Sequence, residues 1–318
     1  MSVPARSVLQ DDAGAVGRAH PGRAATPGGS AVGVDRVRVG FVASFGTAEQ
    51  VVDMAVEAEE HGWDGWFTWD GVDVAGMPSW DPWALLAAAA VRTRRITLGA
   101  MVFALPRRRP WVVAKQAVTV DHLSGGRLVL PVGVGIADDG AVAAVPAERR
   151  TLRERAELLD DDLAVLAQAF TGGPVQHEGT HLRVDGMRFD PRPVPRPDGR
   201  THVPVWPVAA FPSDRSMGRA VRWDGVVPQL RGAAPDQEMT AADVEAVVAW
   251  VRAHRAPDAG PFDVVVQGVL PDDPGAARDR VQALAGAGAT WFVDSRWDPA
   301  TATPAALLDR LRRGRPDA

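Results

Sequence analysis

From Val37 onward the chain alternates short apolar β-type runs with helical stretches, and the pair recurs eight times. The runs are Val37–Ala43, Trp63–Trp69, Ile96–Phe103, Arg127–Val134, Val203–Val208, Asp224–Pro228, Phe262–Val269 and Thr290–Asp294. Most are nearly continuous in apolar residues, the pattern of parallel strands covered on both faces. Eight such pairs in about 280 residues have the length and order of a (β/α)8 TIM barrel, an α/β fold. The rival is a doubly wound open sheet, which usually has fewer strands and a Gly-rich dinucleotide turn after the first. Here the first run ends in Ala43-Ser44-Phe45-Gly46, which is not that turn.

Helix punctuation supports the alternation. Thr47-Ala-Glu-Gln50 fits a capping box, and Gly62 can close that helix in the left-handed conformation. Asp81-Pro82 supplies an N-cap and a proline at the first helical position, and Thr303-Pro304 repeats the device before the last helix. One connection breaks the rhythm. Between the fourth and fifth strands the spacing predicts a helix from Thr151 to Phe170, a hairpin after Gly172-Gly173-Pro174, and a Pro-rich stretch from Pro191 to Pro197. Such an insertion is either a lid or arm, or a rigid connector over the barrel surface.

Residues 1–34 mix Ala, Gly, Pro, Ser and Arg without periodicity, and are expected to be a disordered tail before a barrel domain at 35–318. They lack the apolar stretch of a secretory signal, so a cytoplasmic location is expected by default. No run reaches the roughly 18 apolar residues of a membrane span. The formal net charge of −5 leaves no basic surplus to attract nucleic acid. Cys and Tyr are absent, which excludes disulfides, thiolate nucleophiles and phenolic proton donors.

Several motifs carry two readings. His177-Glu178-Gly179-Thr180-His181 matches a zinc-protease string, but that chemistry needs a helix, and Gly179 and Thr180 favour a hairpin. No metal site is assigned. Gly133-Val-Gly135 after the fourth strand is either a tight turn or a close approach of backbone to ligand. Arg107, Arg108 and Arg109 follow the third strand and suit a substrate carboxylate or a phosphate. Asp70 ends the second strand, where a carboxylate can handle a proton at the mouth or cap a backbone amide. Tryptophans at 63, 66, 69, 80, 83 and 111 supply core, and a flat ligand's wall where they end a strand.

Residues 80–135 resemble the luciferase-like flavin-dependent oxidoreductases. The matching text is Trp80-Asp-Pro-Trp83, Thr93-Arg-Arg-Ile-Thr-Leu-Gly99, Leu105-Pro-Arg-Arg-Arg-Pro110 with Ala114-Lys115, Asp121-His-Leu-Ser-Gly-Gly-Arg127, and Gly133-Val-Gly135. The resemblance implies a TIM barrel with an insertion between strands 4 and 5, and reduced FMN or coenzyme F420 at the C-terminal mouth. It implies an oxidoreductase or monooxygenase acting on a small organic substrate, a homodimer, and a flavin reductase as a source of reduced cofactor. The cofactor carries the reaction, so the protein needs a slot, an anchor and a dry site. By resemblance the ring packs against a bulge at Met101-Val102, where members often have a non-proline cis peptide, with Ser44, Phe103, Gly133 and Gly135 around it. The phosphate lies near Ala209, Ala210 and Ser213, where the family usually shows glycines at the first two positions. Many members carry an acidic residue and then His at the end of the second strand, whereas this chain has Asp70-Gly71. That departure leaves open a non-catalytic paralogue that binds flavin or ligand. A further alternative is a cofactor-free barrel lyase or isomerase with Asp70 and Lys115 as acid and base.

Overall fold

The computed structural model describes residues 36–316 apart from 149, 235, 236 and 257, so the expected tail at 1–34 lies outside the described residues. The strands are β1 (Arg38–Val42), β2 (Gly65–Thr68), β3 (Thr97–Ala100), β4 (Phe103–Ala104), β5 (Leu130–Gly133), β6 (Pro174–Glu178), β7 (Arg183–Arg188), β8 (Val205–Phe211), β9 (Gly225–Leu230), β10 (Asp263–Gly268) and β11 (Trp291–Asp294). The helices are α1 (Ala48–Glu60), α2 (Pro82–Arg92), α3 (Pro110–Ser124), α4 (Gly140–Ala143), α5 (Leu152–Thr171), α6 (Asp214–Ala220), α7 (Ala241–His254), α8 (Pro274–Gly286) and α9 (Pro304–Arg312).

The main sheet runs β3-β2-β1-β11-β10-β9-β8-β5-β4, with every paired neighbour parallel. A parallel bridge between Leu98 and Leu128 joins its ends. β3 and β4 are two halves of one strand, interrupted at Met101-Val102, whose peptide bond is cis. The sheet is thus an eight-stranded ring with helices outside, a TIM barrel. All eight expected strands are present, within a few residues of the bounds read from sequence.

Two apolar layers hold the ring. Inside it, Val42, Phe67, Met101, Val129, Trp206, Val227, Val265, Trp291 and Val293 form one cluster. Large rings need small neighbours. A Cβ on Gly65 would lie 2.7 Å from Phe67 and 2.8 Å from Trp291, so glycine there makes room for both rings. The larger cluster lies between strands and helices. It includes Phe103, stacked on Trp83 at 4.4 Å.

Helix starts follow the expected chemistry. Thr47 and Thr151 complete capping boxes with Gln50 and Glu154, and Asp81 and Thr303 cap α2 and α9. Each such cap contributes about 1 kcal/mol. Among the described residues no helix is long and apolar enough to cross a membrane.

The insertion occupies the chain between β5 and β8. α5 packs on α3 and carries the antiparallel hairpin β6–β7. His177 and His181 therefore sit in a hairpin, not on a helix face. Their Nε2 atoms lie against different carboxylates, Asp161 at 3.1 Å and Glu157 at 3.2 Å. The Pro-rich stretch is the rigid connector of the two alternatives. Asp121 of α3 accepts the Val194 N–H at 2.8 Å and pairs with Arg196 at 2.6 Å, while Lys115 donates to the Asp190 carbonyl at 2.5 Å. Lys115 is thereby tied to the barrel flank, away from the mouth where the lyase alternative needs it.

Candidate functional site

Parallel strands bring all their C-terminal ends to one rim, so loops from distant parts of the sequence meet there. At the ends of β9, β10 and β11 the rim opens into a cavity of about 520 Å3, whose lining includes Gln229, Met239, Gln267, Val269, Ser295 and Trp297. The amide of Gln267 donates to Ser295 Oγ at 3.3 Å. Trp297 is 37% exposed and stands edge-to-face on Trp69 at 5.8 Å. Among the described residues Glu238 is the one charged side chain in the lining, and it is engaged by Arg280 at 2.5 Å and by the Val269 N–H at 2.5 Å. The cavity thus offers neutral hydrogen-bonding groups and an aromatic wall, the usual makeup of a small-molecule site.

The residues singled out in the sequence divide into three groups. Met101 and Val102 face the barrel interior, and Val208 lies beside them. A Cβ on Gly133 would come within 3.2 Å of Val102 and 3.3 Å of Val208, so this glycine lets the two valines sit together against the inner cluster. Gly135 has φ +78° and lies under Ala104. Ser44 is buried beneath Trp69, whose indole N–H donates to the Ser44 carbonyl at 2.7 Å. Phe103 points the other way, into the layer between sheet and α2, because side chains alternate along a strand. Any part it takes in ring binding is through backbone.

At the end of β8, Ala209 is buried against the helical layer, and the Ala210 N–H donates to Ser216 Oγ at 3.0 Å. Ser213 caps α6. Of the three expected phosphate contacts, the Ser213 hydroxyl lies at the rim and the Ala210 amide is already occupied. Arg231, missed in the sequence, follows β9; its N–H bonds the Phe211 carbonyl at 2.8 Å, and its exposed guanidinium has no partner among the described residues.

Asp70, Arg107 and Arg108 form a buried ionic network. The Asp70 carboxylate, 1% exposed, meets Arg107 at 2.6 Å and Arg108 at 2.5 Å and accepts the Ala104 N–H at 3.1 Å. Arg107 also pairs with Asp139 and donates to the Asp70 carbonyl. Asp139 accepts three backbone N–H groups, from Val72, Asp73 and Ala141. These amides and Arg107 outweigh the burial of the carboxylate and hold its pKa below the usual range. One network therefore ties together the loops after β2, β4 and β5. Arg109 lies outside it.

Gly71 has a steric cause. A Cβ at this position would stand 2.2 Å from Cζ3 of Trp69. The indole occupies the space of any side chain at 71, and none of the described histidines lines the 520 Å3 cavity. Gly71→His is expected to destabilise the fold by about 1–3 kcal/mol through overpacking, measured by urea unfolding. Trp69→Ala in the same chain is expected to relieve that clash.

Asp162 of α5 is buried, and neither carboxylate oxygen has a hydrogen-bond partner. Burial, with the Asp161 charge beside it, pushes its pKa from 3.8 up to about 8. The folded chain then holds a proton that the unfolded chain has released, so stability falls as pH rises from the ordinary carboxylate range to about 8. Asp162→Asn should remove this slope. Its melting temperature should exceed wild type at about pH 8 and match it more closely at about pH 4. Parallel curves at both values would contradict the assignment.

The sequence profile of the luciferase-like monooxygenase family matches residues 23–317. An F420-dependent glucose-6-phosphate dehydrogenase from Nakamurella multipartita is 32% identical over 209 residues, 63% of this chain and 58% of that protein. A limonene 1,2-monooxygenase from Rhodococcus erythropolis is 40% identical over 88 residues, 27% of this chain and 22% of that protein. The chain thus spans little more than half the length of the first and under a quarter of the second. Among solved structures, a monooxygenase from Streptomyces bottropensis superposes with a TM-score of 0.68 at 17% identity, covering 87% of this chain and 97% of the other. The F420-dependent tetrahydromethanopterin reductase of Methanopyrus kandleri gives 0.66 at 18% identity, covering 86% and 97%. At such identities the likeness concerns the fold.

Proposed function

Because the chain belongs to the luciferase-like monooxygenase family, we propose that it is an oxidoreductase that holds reduced FMN or F420 at the barrel mouth and acts on a small organic molecule. The observation that carries this reading is the tryptophan-walled cavity of about 520 Å3 at the strand ends, with Gln229, Gln267 and Ser295 in its lining. Its donor set suits a flat heterocycle with hydrogen-bonding edges, which needs apolar faces and uncharged polar groups rather than an ion pair.

When bound, the cofactor supplies the redox chemistry, as hydride transfer or oxygen activation. The chain's own residues bind, orient and keep the site dry. Trp297 forms a wall, and Val102 and Val208 of the inner cluster would meet a ring that reaches beyond the cavity lining. Gln229, Gln267 and Ser295 meet polar edges. Ser213 and Arg231 offer a hydroxyl and a guanidinium to the phosphate. Asp70 acts through Arg107 and Arg108, fixing the loops that frame the mouth. In this reading the chain works as a cytoplasmic homodimer, and a separate flavin reductase supplies reduced FMN if FMN is the cofactor.

Parallel titrations with FMN and F420, oxidised and reduced, test the proposal through flavin or deazaflavin fluorescence. One of them is expected to bind at micromolar concentration, and Trp297→Ala to weaken it about tenfold, the loss of one aromatic contact. Failure of both cofactors to bind rejects the reading. The indole over position 71 favours a second reading, a paralogue that binds cofactor without turning it over. Binding without any oxidation of reduced cofactor above the uncatalysed rate would select it.

A further inference from the structure

Three features meet outside the mouth, on the flank where α3 begins. The first is a cavity of about 120 Å3 between the segment Pro106–Pro110 and α5, lined by Arg107, Arg108, Arg109, Glu148, Arg150, Asp162 and His181. The second is the start of α3. The starts of α1, α2, α5, α7, α8 and α9 are each capped by a Thr or Asp side chain. α3 instead has Arg109 at its N-cap and no side-chain cap. A cation there faces the positive end of the helix dipole, although Pro110 has no N–H and the Val112 and Val113 N–H groups donate to the Arg109 carbonyl at 2.9 and 3.1 Å. The third is Asp162, 1% exposed, with both oxygens unpartnered at the cavity wall.

The charges around this cavity do not balance among themselves. Arg107 and Arg108 are engaged by Asp70 and Asp139 on the mouth side. Arg109 has no hydrogen-bond or ion-pair partner among the described residues and lies 5.9 Å from the Trp111 ring. Arg150 reaches Glu148 only at 3.9 Å, and its buried Nε is unpartnered. His181 leans on Glu157, which Arg153 also engages.

We propose that this cavity is a binding site for a phosphate group, held between Arg109 and Arg150 beside the positive end of α3. Guanidinium forks match phosphate oxygens, and the dipole at a helix N-terminus favours an anion. A bound anion removes the conflict of a cation at the start of α3. Asp162 fits the same occupant, because its protonated carboxyl carries no charge to repel an anion and has an O–H to donate. Ionisation near pH 8 reverses both properties, while Asp161 on one side and Arg109 and Arg150 on the other set the local field.

The test is calorimetric titration of inorganic phosphate at constant ionic strength. It is run on the chain alone and again after saturation with whichever of FMN and F420 binds, so it stands or falls apart from the cofactor reading. Saturable binding is expected in both states. Arg109→Ala and Arg150→Ala should each weaken it about tenfold, the value of one charge-assisted pair. Arg109 is exposed, so Arg109→Ala should fold, with an unliganded melting temperature equal to or above wild type. Wild-type affinity should fall as pH passes about 8, and Asp162→Asn should retain it. The proposal is overturned by absence of saturable heat, by equal binding in the Arg109→Ala, Arg150→Ala double variant, or by loss of the signal on cofactor saturation, which would assign the phosphate to the mouth.

Discussion

Asp70→Ala is expected to destabilise the protein by about 3–5 kcal/mol, the cost of leaving buried charges without their partner. Arg107 and Arg108 both depend on this carboxylate, with side chains only 9% and 20% exposed. The Ala104 N–H loses its acceptor as well. For a domain of this size the change should lower the melting temperature by about 6–20 °C, read by calorimetry. Asp70→Asn is expected to keep the Ala104 bond but not the charge, and to fall between. The pair of variants separates positioning from proton handling. A residue that only moves a proton would lose turnover in Asp70→Asn at a nearly unchanged melting temperature. A residue that organises the loops would lose stability and cofactor affinity together.

Arg127→Ala should be comparably damaging, at about 3–5 kcal/mol by urea unfolding, because it strands several buried acceptors at once. The guanidinium donates to the Ser124 carbonyl at 2.7 Å, Thr93 Oγ1 at 2.9 Å, and the carbonyls of Ile96 at 2.8 Å, Ala90 at 2.9 Å and Thr93 at 3.1 Å. Two of these carbonyls belong to the end of α2, where a cation is also favoured by the helix dipole. Lysine has three donors on one atom and no fork, so Arg127→Lys should recover less than half of the loss. A lysine variant as stable as wild type would show that charge rather than the fan of hydrogen bonds matters here.

These residues show how unevenly the molecule could be read from its sequence. The strands were legible because a parallel strand buried on both faces must be apolar along its whole length. Trp63–Trp69 and Phe262–Val269 could not be mistaken for amphipathic helices. The break at Met101-Val102 leaves no mark on apolar patterning, and there the family likeness supplied what periodicity lacked. The mouth was legible only in part. None of the residues that the likeness named lines the 520 Å3 cavity, and Gln229, Gln267 and Ser295, which do, belong to no motif. A weak signal existed, since each follows an apolar run and is its first uncharged hydrogen-bonding residue at the C-terminal end. Asp139 had no such signal. Its partner Arg107 is 32 residues away, and which of three consecutive arginines faces it depends on the turn at Leu105–Arg107. The same turn explains why Arg109 was grouped with its neighbours although it leaves the mouth.

The ring has a clasp. Between β3 and β5 the backbones are joined by the Leu98 N–H to the Arg127 carbonyl at 3.0 Å and the Val129 N–H to the Leu98 carbonyl at 2.9 Å. Past the break at Met101-Val102 the same strand pairs again with β5, Phe103 with Val132 and Ala104 with Gly133, while the ladders elsewhere range from two residue pairs between β9 and β10 to four between β1 and β11. The guanidinium of Arg127 grips the Ile96 carbonyl just outside this narrow join. The closure is therefore riveted on both sides of the interrupted strand, and the amide protons of Leu98 and Val129 would trade with heavy water no sooner than those of the equally short join between β9 and β10.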